Sequence, residues 1–297
     1  MSLSLAIDLP GASPPEPPFE VRRPDRPGAP FVFASPHSGR LYPPDMLDAA
    51  ALDEAAIRRS EDAFVDALAG AGPRYGASLI TARYARAYID VNREPYELDQ
   101  TMFEDELPDF AQARTARVAA GLGSIARVVG EGQEIYRRKL TFAEARRRIE
   151  AVHRPYHEAL VGLIAEAKAA FGFAILIDWH SMPSAAAAAG ARGRRGCDFV
   201  LGDRYGASCA PAVAEAVERE LEAMGYAVAR NAPYAGGYTT EFYGRPAEHV
   251  HTLQIEINRA LYLNERSVKR HGGFDRLTRD MERLVQALTA ADWSRLA

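Results

Sequence analysis

The chain has 297 residues, 36 Lys+Arg against 40 Asp+Glu for a formal charge of −4, 47% hydrophobic residues and only two cysteines. The apolar fraction excludes a disordered chain, the missing basic field speaks against nucleic acid as a partner, and Cys197 and Cys209 are too few for a disulfide framework or a cysteine-rich zinc site. No basic n-region with an apolar h-region opens the chain, and the longest apolar run, 169–177, stops at Asp178, far short of the ~20 residues that span a bilayer, so a cytoplasmic globular protein with no membrane partner is expected.

Residues 1–30 hold eight of the 19 prolines. Proline fixes φ and removes a donor, so this segment is expected to be an extended arm, poor in regular structure, on a single domain spanning 31–297. Phe31–Ser35, a short apolar run bounded by prolines, predicts the first buried strand. Helix follows within 45–72, either as one helix over 52–70 or with a separate helix N-capped by Ser60, whose first turn would carry Glu61 and Asp62. Residues 77–82 and 84–91 predict strands. Residues 142–171 predict helix, kinked or broken at Pro155. The apolar run 173–177 predicts another buried strand. Weaker strands at 198–201 and 226–229 flank a helix around 210–224, and a further strand at 250–257 precedes an amphipathic helix over 274–296. The stretch 184–195, alanine-rich and then arginine-rich, reads as a mobile loop. Strands alternating with helices predict a three-layer α/β/α domain around a mixed, mostly parallel sheet.

In such sheets ligands bind beyond the carboxyl ends of the strands. Two predicted strands run straight into a histidine: Phe31-Val-Phe-Ala-Ser-Pro-His37 and Phe173-Ala-Ile-Leu-Ile-Asp-Trp-His180. A neutral imidazole on a rigid strand end suits zinc, although either ring could instead satisfy a loop carbonyl. Glu256 stands between Ile255 and Ile257, late in a mostly apolar strand. A carboxylate there is costly unless paired or put to use, so it reads as a general base or as a partner of an arginine such as Arg259. The segment 83–93, with Arg83, Arg86, Asn92 and Arg93 among Tyr88, Ile89 and Val91, is dense in donors on a buried run and points to an anionic substrate. His153 and His157 have metal-binding i, i+4 spacing, but Pro155 lies between them. His249 and His251 share a strand face by spacing. Gly236-Gly237-Tyr238-Thr239 offers backbone freedom for a loop at a site, without the context of a phosphate loop. Ser38 and Ser181 lack the surroundings of a nucleophile elbow.

Five motifs in one order, Ser35-Pro-His37-Ser-Gly39, Tyr88-Ile-Asp-Val-Asn-Arg93, Ile177-Asp-Trp-His-Ser181, Pro233-Tyr-Ala-Gly-Gly-Tyr238 and Gln254-Ile-Glu-Ile-Asn-Arg259, together resemble the N-formylglutamate amidohydrolases over about residues 31–290. That family is similar to zinc carboxypeptidases and aspartoacylase in fold and site layout. The resemblance implies one zinc ion held by His37, His180 and a carboxylate. The H-x-x-E pattern of the carboxypeptidases fails here, because Arg40 stands three residues after His37. The family's acidic position matches Asp62; periodicity over 52–70 would instead put Glu61 on the apolar stripe, so both stay open. Glu256 matches the catalytic carboxylate, Arg86 a residue polarising the scissile carbonyl, and Asn92 with Arg93 the pair gripping the substrate carboxylate, while Gly237 and Tyr238 lie on a loop closing over substrate. The implied activity is zinc-dependent hydrolysis of N-formyl-L-glutamate, a small anionic N-acyl amino acid, to formate and L-glutamate in histidine degradation. A deacylase or carboxypeptidase for another N-acyl amino acid, or a silent binding protein on the same scaffold, are the alternatives.

Overall fold

The computed structural model describes residues 17–26, 28–189 and 196–296. Among them, seven strands build one sheet: β1 (Phe19–Arg22), β2 (Phe31–Ser35), β3 (Ser78–Ala82), β4 (Ala174–Met182), β5 (Phe199–Gly202), β6 (Val228–Arg230) and β7 (Val250–Asn258). Their spatial order is β1-β3-β2-β4-β7-β5-β6. Strands β3, β2, β4 and β7 run parallel, and so do β5 and β6, while β1 meets β3 and β5 meets β7 antiparallel.

Side chains alternate across a strand, so each strand feeds two cores. Phe31, Phe33, Ile175, Ile177, Trp179, Leu253, Ile255 and Ile257 enter one core. It is closed by two long helices, Pro211–Ala223 and Gly273–Ala290. The second of these buries Phe274, Leu277, Met281, Leu284, Val285 and Leu288 at helical spacing. Val32, Ala34, Ala174 and Leu176 enter the opposite core, against Tyr156, Leu160, Leu163 and Ile164 of the helix Arg154–Phe171. Fully burying an aliphatic or aromatic side chain of this kind contributes about 1.5–3 kcal/mol, so the two apolar faces hold the three-layer α/β/α arrangement together. No helix among the described residues is long and apolar enough to cross a membrane.

The same alternation sets the site. Beyond Leu176 on β4, Asp178 and His180 share its face, and β4–β7 register places Asp178 beside Gln254 and His180 beside Glu256. His37 lies two residues past the end of β2, so three of the four parallel strands, β2, β4 and β7, deliver polar groups to one carboxyl edge.

Several expectations need correction. Regular structure begins before residue 31, because Phe19–Arg22 pairs with β3 as the edge strand; the preceding residues 1–16 lie outside the described set. Residues 84–91 are not a strand. Ala85 O accepts from both Tyr88 N and Ile89 N, and the Asp90 carboxylate accepts from Asn92 N at 2.8 Å, so Asx-type bonding folds the segment into turns. No single helix covers 52–70, and Ser60 is not an N-cap. Instead a helical turn Glu54–Ile57 capped by Asp53 passes into a 3₁₀ turn, Arg58–Ser60, whose Ser60 hydroxyl donates backwards to Ile57 O. Phe64 then takes a left-handed conformation, φ 66°, before Val65–Leu68. At Pro155 the helix is interrupted rather than broken: a π turn at Ile149–His153 joins Phe142–Arg148 to Arg154–Phe171, and the proline sits in the first turn after it. In the expected loop 184–195, Ser184–Ala189 is helical and residues 190–195, with their arginines, lie outside the described set.

Candidate active site

Three buried residues converge where the parallel strands end. His180 Nδ1 lies 3.0 Å and His37 Nδ1 3.4 Å from the same oxygen, Asp62 Oδ2. The local fold explains the meeting. Asp62 N donates to His37 O at 3.0 Å, so the turn after Arg58–Ser60 is stitched to the loop leaving β2. Glu61 turns the other way, where its carboxylate accepts from the Tyr42 hydroxyl at 2.7 Å and from Arg58 at 3.0 Å. Of the two carboxylates left open, it is therefore Asp62 that the turn brings beside the histidines, and no helical stripe exists to oppose it.

Each imidazole is held from behind. His37 Nε2 donates to Asp90 Oδ1 at 2.6 Å. His180 Nε2 lies 2.9 Å from Asp178 Oδ2, and Asn92 Nδ2 donates to that same oxygen at 3.0 Å. These carboxylates fix the ring orientation and aim both Nδ1 atoms at the space beside Asp62, the support that metal-binding histidines receive. His37 Nδ1 is buried and has no hydrogen-bond partner among the described residues. An orphaned nitrogen, a second imidazole nitrogen and a carboxylate oxygen, all within 4.8 Å of one another, form the donor set of a divalent cation. The residues present therefore fit a metal ion.

Charge is tightly balanced there. Burial works against ionised Asp62, but His180, His37 and Arg259 together outweigh it and hold the carboxyl well below its usual range. Burial equally opposes charged His180, yet Asp178, Asp62 and Glu256 raise its pKa well above the ordinary value. Arg259 donates to Asp62 Oδ1 at 2.8 Å and to Ser181 Oγ at 3.0 Å. It is thus Asp62, not Glu256, that takes Arg259 as a partner. Glu256 accepts from Gln254 Nε2 at 2.9 Å, and burial pushes its carboxyl up to about 7, with Asp62 adding to the rise and His180, Arg259 and Arg86 opposing it. Arg86 donates to Asp90 Oδ2 at 2.7 Å.

These groups open into a cavity of about 650 Å³ whose lining includes Arg59, Arg86, Arg93, Arg117 and Arg259 beside Asp62, Asp90 and Glu256. Arginines exceed carboxylates on this wall, so a small anion is electrostatically matched to it. Gly237 also lines it; a Cβ there would come within 2.8–3.0 Å of the Asn92 amide. Close approach of that backbone lets Thr239 N donate to Asn92 Oδ1 at 2.7 Å.

Of the residues expected at the site, His37, Asp62, His180, Glu256, Arg86, Asn92, Arg93 and Gly237 line this one cavity, and Tyr238 does not. Its ring packs edge-on against His157 and stacks on Phe242. Asn92 reaches the cavity, but its amide is engaged with Asp178, His180 and Thr239. His153 and His157 are not a metal pair: their Nε2 atoms donate to Arg93 O at 2.9 Å and Val91 O at 2.8 Å, pinning the turn that carries Asn92. His251 is buried and its Nδ1 accepts from Ala210 N, whereas His249 is exposed. Sequence reasoning assigned no role to Asp90, Asp178 or Gln254. The i, i+2 spacing of Asp178 with His180 and of Gln254 with Glu256 was the available signal, since it places each pair on one strand face.

The N-formylglutamate amidohydrolase family model matches residues 29–263. The chain is 33% identical over 241 residues to an N-formylglutamate deformylase of Pseudomonas aeruginosa, covering 80% of this chain and 84% of that protein. It is 32% identical over 239 residues to the N-formylglutamate deformylase of Pseudomonas putida, covering 80% and 82%. The crystal structure of N-formylglutamate amidohydrolase from Ralstonia eutropha superposes with a TM-score of 0.86 at 41% identity, over 92% of this chain and 97% of that one. A gene product of Agrobacterium tumefaciens shares the fold at a TM-score of 0.60 and 18% identity, over 92% and 95% of the two chains. A hydrolase that acts on an amide, this chain belongs to the N-formylglutamate amidohydrolase family.

Proposed function

We propose that the chain hydrolyses N-formyl-L-glutamate to formate and L-glutamate, with a zinc ion held by His37, Asp62 and His180. The observation that carries the reading is the buried His–Asp–His group beside Glu256 at the bottom of an arginine-rich cavity. Family membership supports the choice of substrate; a place in histidine degradation is part of the same proposal.

Bound there, zinc supplies Lewis acidity toward a carbonyl oxygen and toward the water that attacks it. The chain's own residues do the rest. Glu256, buried beside the group, takes a proton from the attacking water and passes it to the amide nitrogen as the C–N bond breaks. Arg86, anchored by Asp90, presents its guanidinium to the oxyanion that develops at the formyl oxygen. Arg93 holds a substrate carboxylate: its Nε and one terminal nitrogen bond to Leu122 O and Asn92 O, which aims the group without neutralising it. Asn92 orients His180 and Asp178, and Gly237 lets the loop close against it.

Metal analysis joined to a formate-release assay over a panel of N-formyl and N-acetyl amino acids tests the reading. The expected result is about one zinc per chain and greatest kcat/KM on N-formyl-L-glutamate. Full activity after metal removal, or equal rates on neutral N-formyl amino acids, would overturn it.

A further inference from the structure

The cavity arginines differ in what already neutralises them. Arg86 is committed to Asp90 at 2.7 Å and Arg259 to Asp62 at 2.8 Å, so both serve the metal-binding group. Arg59 donates to Ala56 O and to the Gln133 side chain, tying the turn before Asp62 to the short ribbon that contains Gln133–Glu134. Among the described residues, the hydrogen bonds of Arg93 go to the backbone carbonyls of Leu122 and Asn92. Arg117, on the short helix Ala116–Ala119, approaches a carboxylate only loosely, with 3.7 Å between its terminal nitrogen and Glu97 Oε2. The other Glu97 oxygen is taken by the Thr115 hydroxyl.

Arg93 and Arg117 are also neighbours. Arg93 Nε donates to Leu122 O at 3.0 Å, and Leu122 N donates to Arg117 O at 2.8 Å, so Leu122 ties the Arg93 guanidinium to the backbone that carries Arg117, and both side chains line the same cavity. Burial lowers the pKa of Arg93, and among nearby charges Asp90 and Glu97 oppose that while Arg86 and Arg117 add to it. Two guanidinium groups that feel each other on a cavity wall are stabilised by an anion between them. A glutamyl group carries two carboxylates only three carbons apart, so the cation that meets the second must stand close to the one that meets the first.

We propose that Arg117 is the specificity-determining residue that receives the side-chain carboxylate of a dicarboxylic N-acyl amino acid, next to Arg93 on the α-carboxylate. This rests on the deformylase reading only for the identity of the acyl group. Recognition by a planar, forked guanidinium makes the site select a carboxylate over the isosteric carboxamide.

The test compares wild type, Arg117→Gln, Arg117→Lys and Arg59→Gln. For each, kcat/KM is measured on N-formyl-L-glutamate and N-formyl-L-glutamine, and calorimetry gives binding of glutarate and of its monoamide. Wild type is expected to prefer the dicarboxylate in both assays. Arg117→Gln is expected to shrink the preference by about 10- to 100-fold, the size of one charge-assisted hydrogen bond. Arg117→Lys, which keeps the charge but loses the fork, is expected to fall between, and it carries the test if Arg117→Gln does not fold. An unchanged ratio in the Arg117 variants, or a collapse of the ratio in Arg59→Gln instead, overturns the proposal. Selective glutarate binding through Arg117 without formate release would sink the deformylase reading and leave this one standing; formate release with no Arg117-dependent ratio would do the reverse.

Discussion

Replacing Glu256 by Gln separates two consequences of its burial. The side chain is 7% exposed on β7. Burial first, and then the charge of Asp62, move its carboxyl from the usual 4.5 to about 7 against His180, Arg259 and Arg86. A raised value in the fold means that ionised Glu256 destabilises it. The cost is absent below about pH 4.5, grows as pH rises, and is complete above about pH 7. At 1.36 kcal/mol per decade, that interval corresponds to about 3 kcal/mol. Glutamine keeps the shape and an oxygen for the bond from Gln254. Metal-free Glu256→Gln is therefore expected to exceed wild type in stability by up to about 3 kcal/mol at pH 8, with the two converging near pH 4.5. Turnover should move the other way, with kcat down about 10²- to 10⁴-fold for a lost general base. Urea denaturation of chelator-treated protein at both pH values and formate release by the metal-loaded protein measure the two effects. Wild-type-like kcat would refute the base assignment. A stability difference that does not change with pH would refute the burial argument.

Exchanging Asp62 for Asn is expected to abolish tight metal binding, whereas Glu61→Gln, at a side chain whose hydrogen bonds among the described residues go to Tyr42 and Arg58, retains it; equal losses in a chelator competition would reject Asp62 as the ligand. Asp90→Asn and Asp178→Asn remove the groups behind His37 and His180 and should each weaken metal affinity about 10- to 100-fold, and unchanged affinity would show that they do not orient the rings. Burial depresses His157 from 6.5 to about 3, with His153 adding to the effect, so its contribution to stability is fully present above about pH 6.5 and is lost as pH falls toward 3. That loss amounts to about 2 kcal/mol by pH 5; His157→Gln should flatten the pH 5–8 dependence of unfolding, and an unaltered slope would contradict the assignment.

The strands were legible because their signal is local. Apolar runs bounded by proline or glycine mark β2 and β4, and a histidine at or just past the end of each marks the edge where the buried polar groups gather. Glu256 was legible for the same reason, as a carboxylate in an apolar strand whose burial needs a purpose. The segment 84–91 was misread because apolar residues there are buried by turns rather than by pairing, and period alone does not distinguish the two. The single helix over 52–70, one of two alternatives, failed at Glu61, where the backbone turns extended (φ −64°, ψ 145°), and again at Phe64, left-handed at φ 66°; both depend on contacts that periodicity does not report.

By itself, then, the sequence determined the layered α/β architecture, the strand-end histidines, the buried Glu256 and the family motifs. Tertiary structure alone decided how the polar groups pair. Asp62 meets His180 across 118 residues and Arg259 across 197. Asp62 rather than Glu61 faces the histidines because of a single turn stitched to His37 O. It also sorted the arginines, spending Arg86 and Arg259 on carboxylates and leaving Arg93 and Arg117 to face the cavity. Periodicity is set by neighbours along the chain, whereas a charge acquires its partner only when the sheet brings distant strand ends to one edge.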